Sequence, residues 1–175
     1  MDILNILPNN PIKILNIHEN KWKFFFPEEY YDENLFGTFE KAVELVDIND
    51  KTAEKKLKEF IRKHPYHIDA YNHLSLAFRN QCKYIESFIF AEKSFNLAKE
   101  VIPHYFNTET DEIEWGYLDN RPFLRACHIY AMELCYNEDY ESAINLYKLI
   151  LTLNKSDNQG VRYLLLDLYL ETAKY

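Results

Sequence analysis

Residues 91–103 read AEKSFNLAKEVIP, and this stretch carries the pattern that decides the fold. Ala91, Phe95, Ala98 and Pro103 stand at relative positions 0, 4, 7 and 12. A small residue, a large apolar residue one turn later, a further apolar residue and a helix-ending residue are typical of the second helix of a helix-turn-helix repeat. The same offsets recur at Ala53, Leu57, Phe60 and Pro65, and at Ala143, Tyr147, Ile150 and Lys155, where Lys replaces Pro. The sequence therefore predicts a stack of helix pairs.

Apolar residues at helical spacing predict the other helices. No glycine occurs between residues 38 and 115, which favours long helices over turn-rich β structure. We expect Asn49 or Asp50 to cap the second helix, and Asp157 to cap the last one. The predicted helices span residues 36–47, 51–63, 68–81, 84–101, 123–135 and 140–153, followed by a closing helix with the apolar stripe Val161, Leu164, Leu165 and Leu168.

The spacing of the pattern also predicts an insertion. The step from Ala53 to Ala91 is 38 residues, but the step from Ala91 to Ala143 is 52 residues, which is 18 more than a 34-residue period. The excess lies at about residues 104–121, and we expect it to leave the stack as a loop or short helix. The predicted organisation is an N-terminal arm at residues 1–35 and a helical domain at residues 36–175.

The N-terminal arm differs in composition from the helical part. Residues 8–11 form a predicted turn, and Ile12, Ile14 and Ile17 approach the alternation of a short extended segment. Trp22 and residues 24–26, which are all Phe, are expected to pack onto the helical body. Two alternatives remain: an exposed aromatic docking site for a partner, or an arm in which residues 12–17 fold back into a groove of the helical stack.

Composition bounds the function. The chain has 175 residues, of which 47% are apolar, so it can bury a core. A net charge of −8 argues against nucleic-acid binding through a broad surface. No apolar run approaches the roughly 18 residues of a membrane span, and the start, residues 1–5, does not look like a signal peptide. Cys127 and Cys135 are about 12 Å apart on one predicted helix and Cys82 is unpaired, so we expect free thiols and a cytoplasmic location.

The first-helix residues Tyr71, Leu74, Ser75 and Phe78, followed by the Ala91 pattern, resemble the tetratricopeptide repeat (TPR) family. Ser75 and Ala131 stand where that family usually has Gly, and Tyr71 and Cys127 stand where it usually has Trp. The segments WGYLDNRPFLRA at residues 115–126 and LNKSDNQGVRY at residues 153–163 look like a bacterial TPR subgroup, similar to the repeat region of suppression-of-tumorigenicity proteins. The resemblance implies an all-α, right-handed TPR-like solenoid of about three helix pairs plus a capping helix, with an irregular N-terminal arm.

The resemblance also implies a concave groove lined by the first helix of each pair. We align the first helices of the repeats so that Tyr71, Cys127 and Val161 occupy the same repeat position. The alignment predicts which residues face solvent in the groove: Asn72, Arg79, Arg125, His128, Gln159 and Arg162, with Arg121 at the rim. Three of the chain's five arginines fall in this set, and guanidinium groups bind carboxylates through paired hydrogen bonds. We therefore predict an acidic segment or a C-terminal carboxylate as ligand. The alternative is that Arg121, Arg125 and Arg162 make local salt links.

No catalytic or metal-binding pattern is recognisable. His64, His67 and His73 lack the spacing of a zinc site, and His128 does not share a helix face with Cys127. We predict no enzyme activity, no metal and no cofactor. The predicted function is an adaptor or scaffold that binds a peptide or protein partner. The alternative is a homodimer or a dedicated complex subunit that uses the N-terminal arm and the last helix, whose Tyr163, Leu166 and Tyr169 make its outer face apolar.

Overall fold

The computed structural model describes residues 10–173 of the chain. Predictions for residues 1–5 and the first part of the turn at residues 8–11 lie outside this range. Within it, the chain is mostly helical and has the TPR-like solenoid architecture that the sequence predicts. The helices are α1 (Glu33–Val43), α2 (Asp50–Lys63), α3 (Ile68–Asn80), α4 (Tyr84–Lys99), α5 (Arg121–Tyr136), α6 (Tyr140–Leu153) and α7 (Val161–Thr172). None of the helices in the described range is long and apolar enough to cross a membrane.

Side-chain caps fix several helix starts. The Asn49 side chain accepts a hydrogen bond from the Thr52 amide at the start of α2, at 3.2 Å, and Asp139 accepts one from the Ser142 amide at the start of α6. Each cap satisfies an amide that has no partner inside its own helix. The N-cap of α7 is Gly160 and not Asp157, but the Asp157 carboxylate still accepts a 2.7 Å hydrogen bond from the Val161 amide in the first turn of the helix.

Small residues allow the two helices of a pair to approach closely. Ala53, Ala91 and Ala143 are all buried. In the second pair, the buried Ser75 hydroxyl on α3 donates a 2.8 Å hydrogen bond to the Ser87 carbonyl on α4. A larger side chain at Ser75 would separate these backbones, so a small residue at this position is a packing requirement.

The sequence predicts an irregular N-terminal arm, and this prediction is wrong. The arm contains an antiparallel hairpin of β1 (Lys13–His18) and β2 (Lys21–Phe25). A 3-10 turn at Glu28–Tyr31 leads from the hairpin to α1. Trp22 and Phe24 are buried, and the Phe24 ring lies 5.1 Å from the Phe123 ring of α5. Residues 13–18 pair with β2, and Trp22 and Phe24 contact the protein's own core, so neither ring is an exposed docking site.

The segment between α4 and α5 fastens this hairpin to the helices. The Trp22 amide donates to the Glu112 carbonyl at 2.9 Å, and the Ile113 amide donates to the Leu153 carbonyl at the end of α6 at 2.9 Å. A second 3-10 turn, Leu118–Asn120, precedes α5, which begins at Arg121 rather than at residue 123. Pro122 is tolerated there because the amide hydrogen that it lacks has no partner in the first helical turn.

Candidate partner-binding site

Arg79 is neutralised within the protein. Its Nε donates a 2.9 Å hydrogen bond to Oε1 of the buried Glu133 on α5, and its Nη2 binds the second carboxylate oxygen. The guanidinium carbon lies 4.0 Å from the centroid of the Tyr136 ring. The predicted groove cation is therefore a connector between α3 and α5.

Arg125 makes a second paired contact between the same two helices. Its Nε donates to Oδ1 of the buried Asp69 at 2.9 Å, and its Nη2 binds Oδ2. Burial disfavours the Asp69 carboxylate, but the hydrogen bonds from Arg125 outweigh burial and hold the pKa of Asp69 below its ordinary value. Asp69 therefore stays ionised and paired.

The expectation that Asn72 faces solvent is wrong, because the side chain is fully buried. Its amide nitrogen donates to the Pro122 carbonyl at 2.9 Å, and its oxygen accepts from the Ser94 hydroxyl at 2.6 Å. These two bonds connect α3 to the start of α5 and to α4. Asn72 has no free group to offer a partner.

The other predicted site residues lie nearer to the surface. His128 is within 3.3 Å of the Gln159 amide nitrogen, and burial lowers its pKa. Arg162 is the most exposed, at 57% of its side chain, although its Nε donates to the Asp157 carboxylate at 2.8 Å. The Arg121 Nε donates to the Trp115 carbonyl at 3.1 Å. These are the contacts of local links, and a direct role of these residues in partner binding stays a prediction.

The structure contains a pocket that sequence reasoning missed, here called the aromatic pocket. It has a volume of about 300 Å³ and lies where α1, the N-terminal ends of α3 and α5, and the two 3-10 turns meet. Among the predicted site residues, Arg125 contributes to its wall. The lining residues are Phe26, Tyr30, Tyr31, Phe36, Phe39, His67, Ile68, Asp69, Leu118, Asp119, Pro122 and Arg125.

Three large side chains of the aromatic pocket are open to solvent. Tyr31 is 54% exposed, Phe36 is 56% exposed and Leu118 is 69% exposed. Single exposed apolar residues are ordinary on protein surfaces, but several around one concavity mark an interaction site. Only the helical spacing of Phe36 and Phe39 was visible in the sequence, because the other walls come from segments far apart in the chain.

The wall of the aromatic pocket is electrically balanced. Asp69 is paired with Arg125, and Asp119 is paired with Lys23 at 3.0 Å. Burial lowers the pKa of His67 to about 4, so this ring is neutral at pH 7. The pocket therefore presents mainly apolar surface, with no unbalanced charge among these groups.

Neither metal nor thiol chemistry is assembled in the described range. Between residues 10 and 173 no group of His, Cys, Asp and Glu has the geometry of a metal site. The rings of His64 and His67 pack against the Phe60 ring at 4.9 and 5.0 Å. Burial raises the pKa of the Cys127 thiol, which disfavours the reactive thiolate. The cytoplasmic location expected from the free cysteines stays a prediction.

Two comparisons with known proteins gave a match, one for the fold and one for the family. A chain in a solved structure of Naa15/Naa10 bound to HypK-THB superposes with a TM-score of 0.57 at 18% identity, over 81% of this chain and 18% of that chain. This likeness supports the TPR-like fold, and our chain spans less than a fifth of that protein. No curated protein matches the sequence. A family model described as "Transcriptional repressor TCF25" matches residues 33–175. The resemblance to TPR proteins thus holds for the fold, and the chain belongs to the TCF25 family.

Proposed function

We propose that this chain is a protein-interaction module that holds an apolar side chain of a partner segment in the aromatic pocket. The observation that carries the proposal is the exposure of Tyr31, Phe36 and Leu118 around one cavity of about 300 Å³. That volume lies at the lower end of the range for ligand sites. Interfaces often depend on one aromatic or aliphatic anchor that fills such a pocket.

The inner wall of the aromatic pocket is held in place before any partner arrives. The Phe39 ring lies 4.5 Å from the His67 ring, and the Tyr30 ring lies 5.0 Å from it. His67 in turn caps α3, because its Nδ1 accepts a hydrogen bond from the Ala70 amide at 3.2 Å. A preformed wall reduces the ordering that binding requires, which favours affinity.

The arginine contacts give little reason to expect an acidic segment or a C-terminal carboxylate as the ligand. A partner carboxylate would compete with Asp69 for the two donors of Arg125. Displaced, Asp69 would remain buried without its cation, which is strongly unfavourable. The same argument applies to Glu133 and Arg79. We therefore base the proposal on apolar contact and not on the groove arginines.

A selection with a random displayed-peptide library against the chain tests this proposal. Leu118→Glu should abolish binding of the selected peptides, because it places a charge at the pocket mouth. The matched control is Ile85→Glu on α4, since Ile85 is 76% exposed and lies outside the pocket wall. Peptides that bind both variants equally well would contradict the proposal. Circular dichroism of each variant checks that it is folded.

A second candidate function, self-association or a dedicated complex, is favoured by one observation on α7. Tyr163, Leu166 and Leu170 are exposed and share one helix face. Trp22 and Phe24 of the arm do not contribute, since both are buried. Sedimentation equilibrium over a range of concentrations tests this candidate, with Leu166→Glu as the variant. A monomer at every concentration would exclude the homodimer.

A further inference from the structure

We infer that His67 is a specificity-determining residue of the aromatic pocket and selects a partner segment whose anchor is a tyrosine. This inference rests on the proposed function, because it concerns the same pocket. The ring of the anchor fills the apolar part of the pocket, and its hydroxyl accepts a hydrogen bond from Nε2 of His67.

The cap of α3 determines which ring nitrogen of His67 carries the hydrogen. Nδ1 accepts a 3.2 Å hydrogen bond from the Ala70 amide in the first turn of the helix. A neutral imidazole has one acceptor nitrogen and one donor nitrogen, and burial keeps this ring neutral at pH 7. Because Nδ1 is the acceptor, the hydrogen lies on Nε2, which can only donate.

The Nε2–H group of His67 is open to a ligand. The bond at Nδ1 is the hydrogen bond that this side chain makes within residues 10–173, so Nε2 has no acceptor among them. Nor is Nε2 one of the described side-chain atoms that are both fully buried and unpaired. It therefore reaches accessible space, and the aromatic pocket is the concavity whose wall contains His67.

The acidic side chains of the same wall are already engaged inside the protein. The Asp69 carboxylate binds Arg125, and an Asp119 oxygen lies 3.0 Å from the ammonium nitrogen of Lys23. A partner group that bonded to these carboxylates would compete with internal ion pairs. A group that accepts from Nε2 of His67 displaces no bond among the described residues, so this donor is the polar contact that the pocket offers.

The donor lies further inside the pocket than the apolar side chains at the mouth. Tyr31, Phe36 and Leu118 are exposed and surround the mouth. The His67 ring packs 4.5 Å from the buried Phe39 ring, which belongs to the inner wall. A side chain that enters between the exposed residues therefore meets apolar surface first and the Nε2–H group at its far end.

Tyrosine is the side chain that matches this order of contacts. Phe, Leu and Trp bring an apolar body but no hydrogen-bond acceptor at the end. A carboxylate would be repelled by Asp69 and Asp119, which are both part of the wall. Tyrosine combines a large ring with a neutral hydroxyl that accepts a hydrogen bond, and a buried tyrosine hydroxyl usually has such a partner.

A nitrogen-15 NMR spectrum of the histidine side chains tests the first step without any partner. The chemical shifts of the two ring nitrogens distinguish the two neutral forms of a histidine. At pH 7, His67 should show the form with hydrogen on Nε2, and its signals are identified by their loss in His67→Asn. Hydrogen on Nδ1 would overturn the inference.

A peptide array tests the selection of tyrosine. The central residue is Tyr, Phe, Leu or Gly between uncharged flanking residues, the whole chain is the binding protein, and affinities are measured by fluorescence anisotropy. A peptide with Phe leaves the donor of His67 covered and unpaired. We therefore expect the Tyr peptide to bind about tenfold more tightly than the Phe peptide.

Two histidine variants show where this preference arises. His67→Asn keeps a side chain that can cap α3, but it is too short to place a donor at the position of Nε2. The control is His73→Asn, on the same helix and outside the pocket wall. The ratio of Tyr to Phe affinities should fall to about one in the first variant and persist in the second. Because it is a ratio, a general loss of affinity in the altered wall does not affect it. Its persistence in both variants would overturn the inference.

The remaining outcomes separate the two proposals. Tyr and Phe peptides that bind equally well, and that Leu118→Glu abolishes, would overturn the selection of tyrosine and leave the proposed function intact. Peptides that bind equally well with Gly as the central residue would contradict the proposed anchor. If no peptide of the array binds, both proposals fail.

Discussion

Replacing Arg79 by leucine should destabilise the protein strongly, because it leaves Glu133 charged and buried. Glu133 would retain one side-chain hydrogen bond, from the Ser87 hydroxyl at 2.7 Å. Removing one partner of a buried ion pair typically costs about 3–5 kcal/mol. The Arg79 side chain is 21% exposed, so the lower end of that range applies. We expect a loss of about 3 kcal/mol, which lowers the urea midpoint by about 1.5 M for an m-value of about 2 kcal/mol/M.

Two comparison variants test the reasoning behind this value. Arg162→Leu removes an arginine whose side chain is 57% exposed, and the buried Asp157 carboxylate keeps its hydrogen bonds from the amides of residues 161 and 162, so the loss should be less than about 1 kcal/mol. The double variant Arg79→Leu with Glu133→Leu removes both charges and should recover at least half of the loss, because the Ser75 and Ser87 hydroxyls still have each other's carbonyls as acceptors. A single variant as mild as Arg162→Leu, or a double variant no more stable than the single one, would refute the argument.

Three further predictions concern the hairpin, a histidine and the thiols. Asn120→Leu should lower the free energy of unfolding by about 2–3 kcal/mol, because it leaves the Phe24 amide and the Trp22 carbonyl without a hydrogen-bond partner. Hydrogen exchange should show that the amide of Phe24 loses protection and that the amide of Leu74 does not. Burial lowers the pKa of His67 to about 4, so as the pH falls the unfolded chain takes up a proton before the folded one, and the free energy of unfolding should decrease between about pH 6.5 and about pH 4. In urea titrations at several pH values, His67→Asn, which keeps a capping side chain, should reduce this dependence of stability on pH. An unchanged dependence would assign it to other groups. A thiol reagent should modify the exposed Cys82 in the native protein and the buried Cys127 only after unfolding, whereas rapid native labelling of Cys127 would contradict its burial.

The helix pairs could be predicted because their signals are local. Ala91, Phe95 and Ala98 define one buried face through the period of the α-helix alone, and Asn49 caps α2 within three residues of chain. The hairpin was only partly recognised. Ile12 and Ile14 showed alternation, but the pairing of Ile14 with Phe24 depends on how the arm lies against the helices.

Repeat position alone did not predict which of the groove residues face solvent. Asn72 and Arg79 stand at positions that face solvent in an open groove. In this protein α5 covers that side of α3, so Asn72 bonds to Pro122 and Arg79 bonds to Glu133. The sequence places charges on a helix face, but it does not say how closely the next helix packs against that face.

The sequence thus determined the helical periods, their caps and the division into pairs, because each of these depends on residues within a few turns of one another. Tertiary structure alone decided which carboxylate neutralises each arginine, since Arg79 and Glu133 are 54 residues apart and Arg125 and Asp69 are 56 residues apart. It also decided that Tyr31, Phe36 and Leu118 surround one cavity. Such contacts depend on how distant segments pack, and the period of a single helix carries no information about that packing.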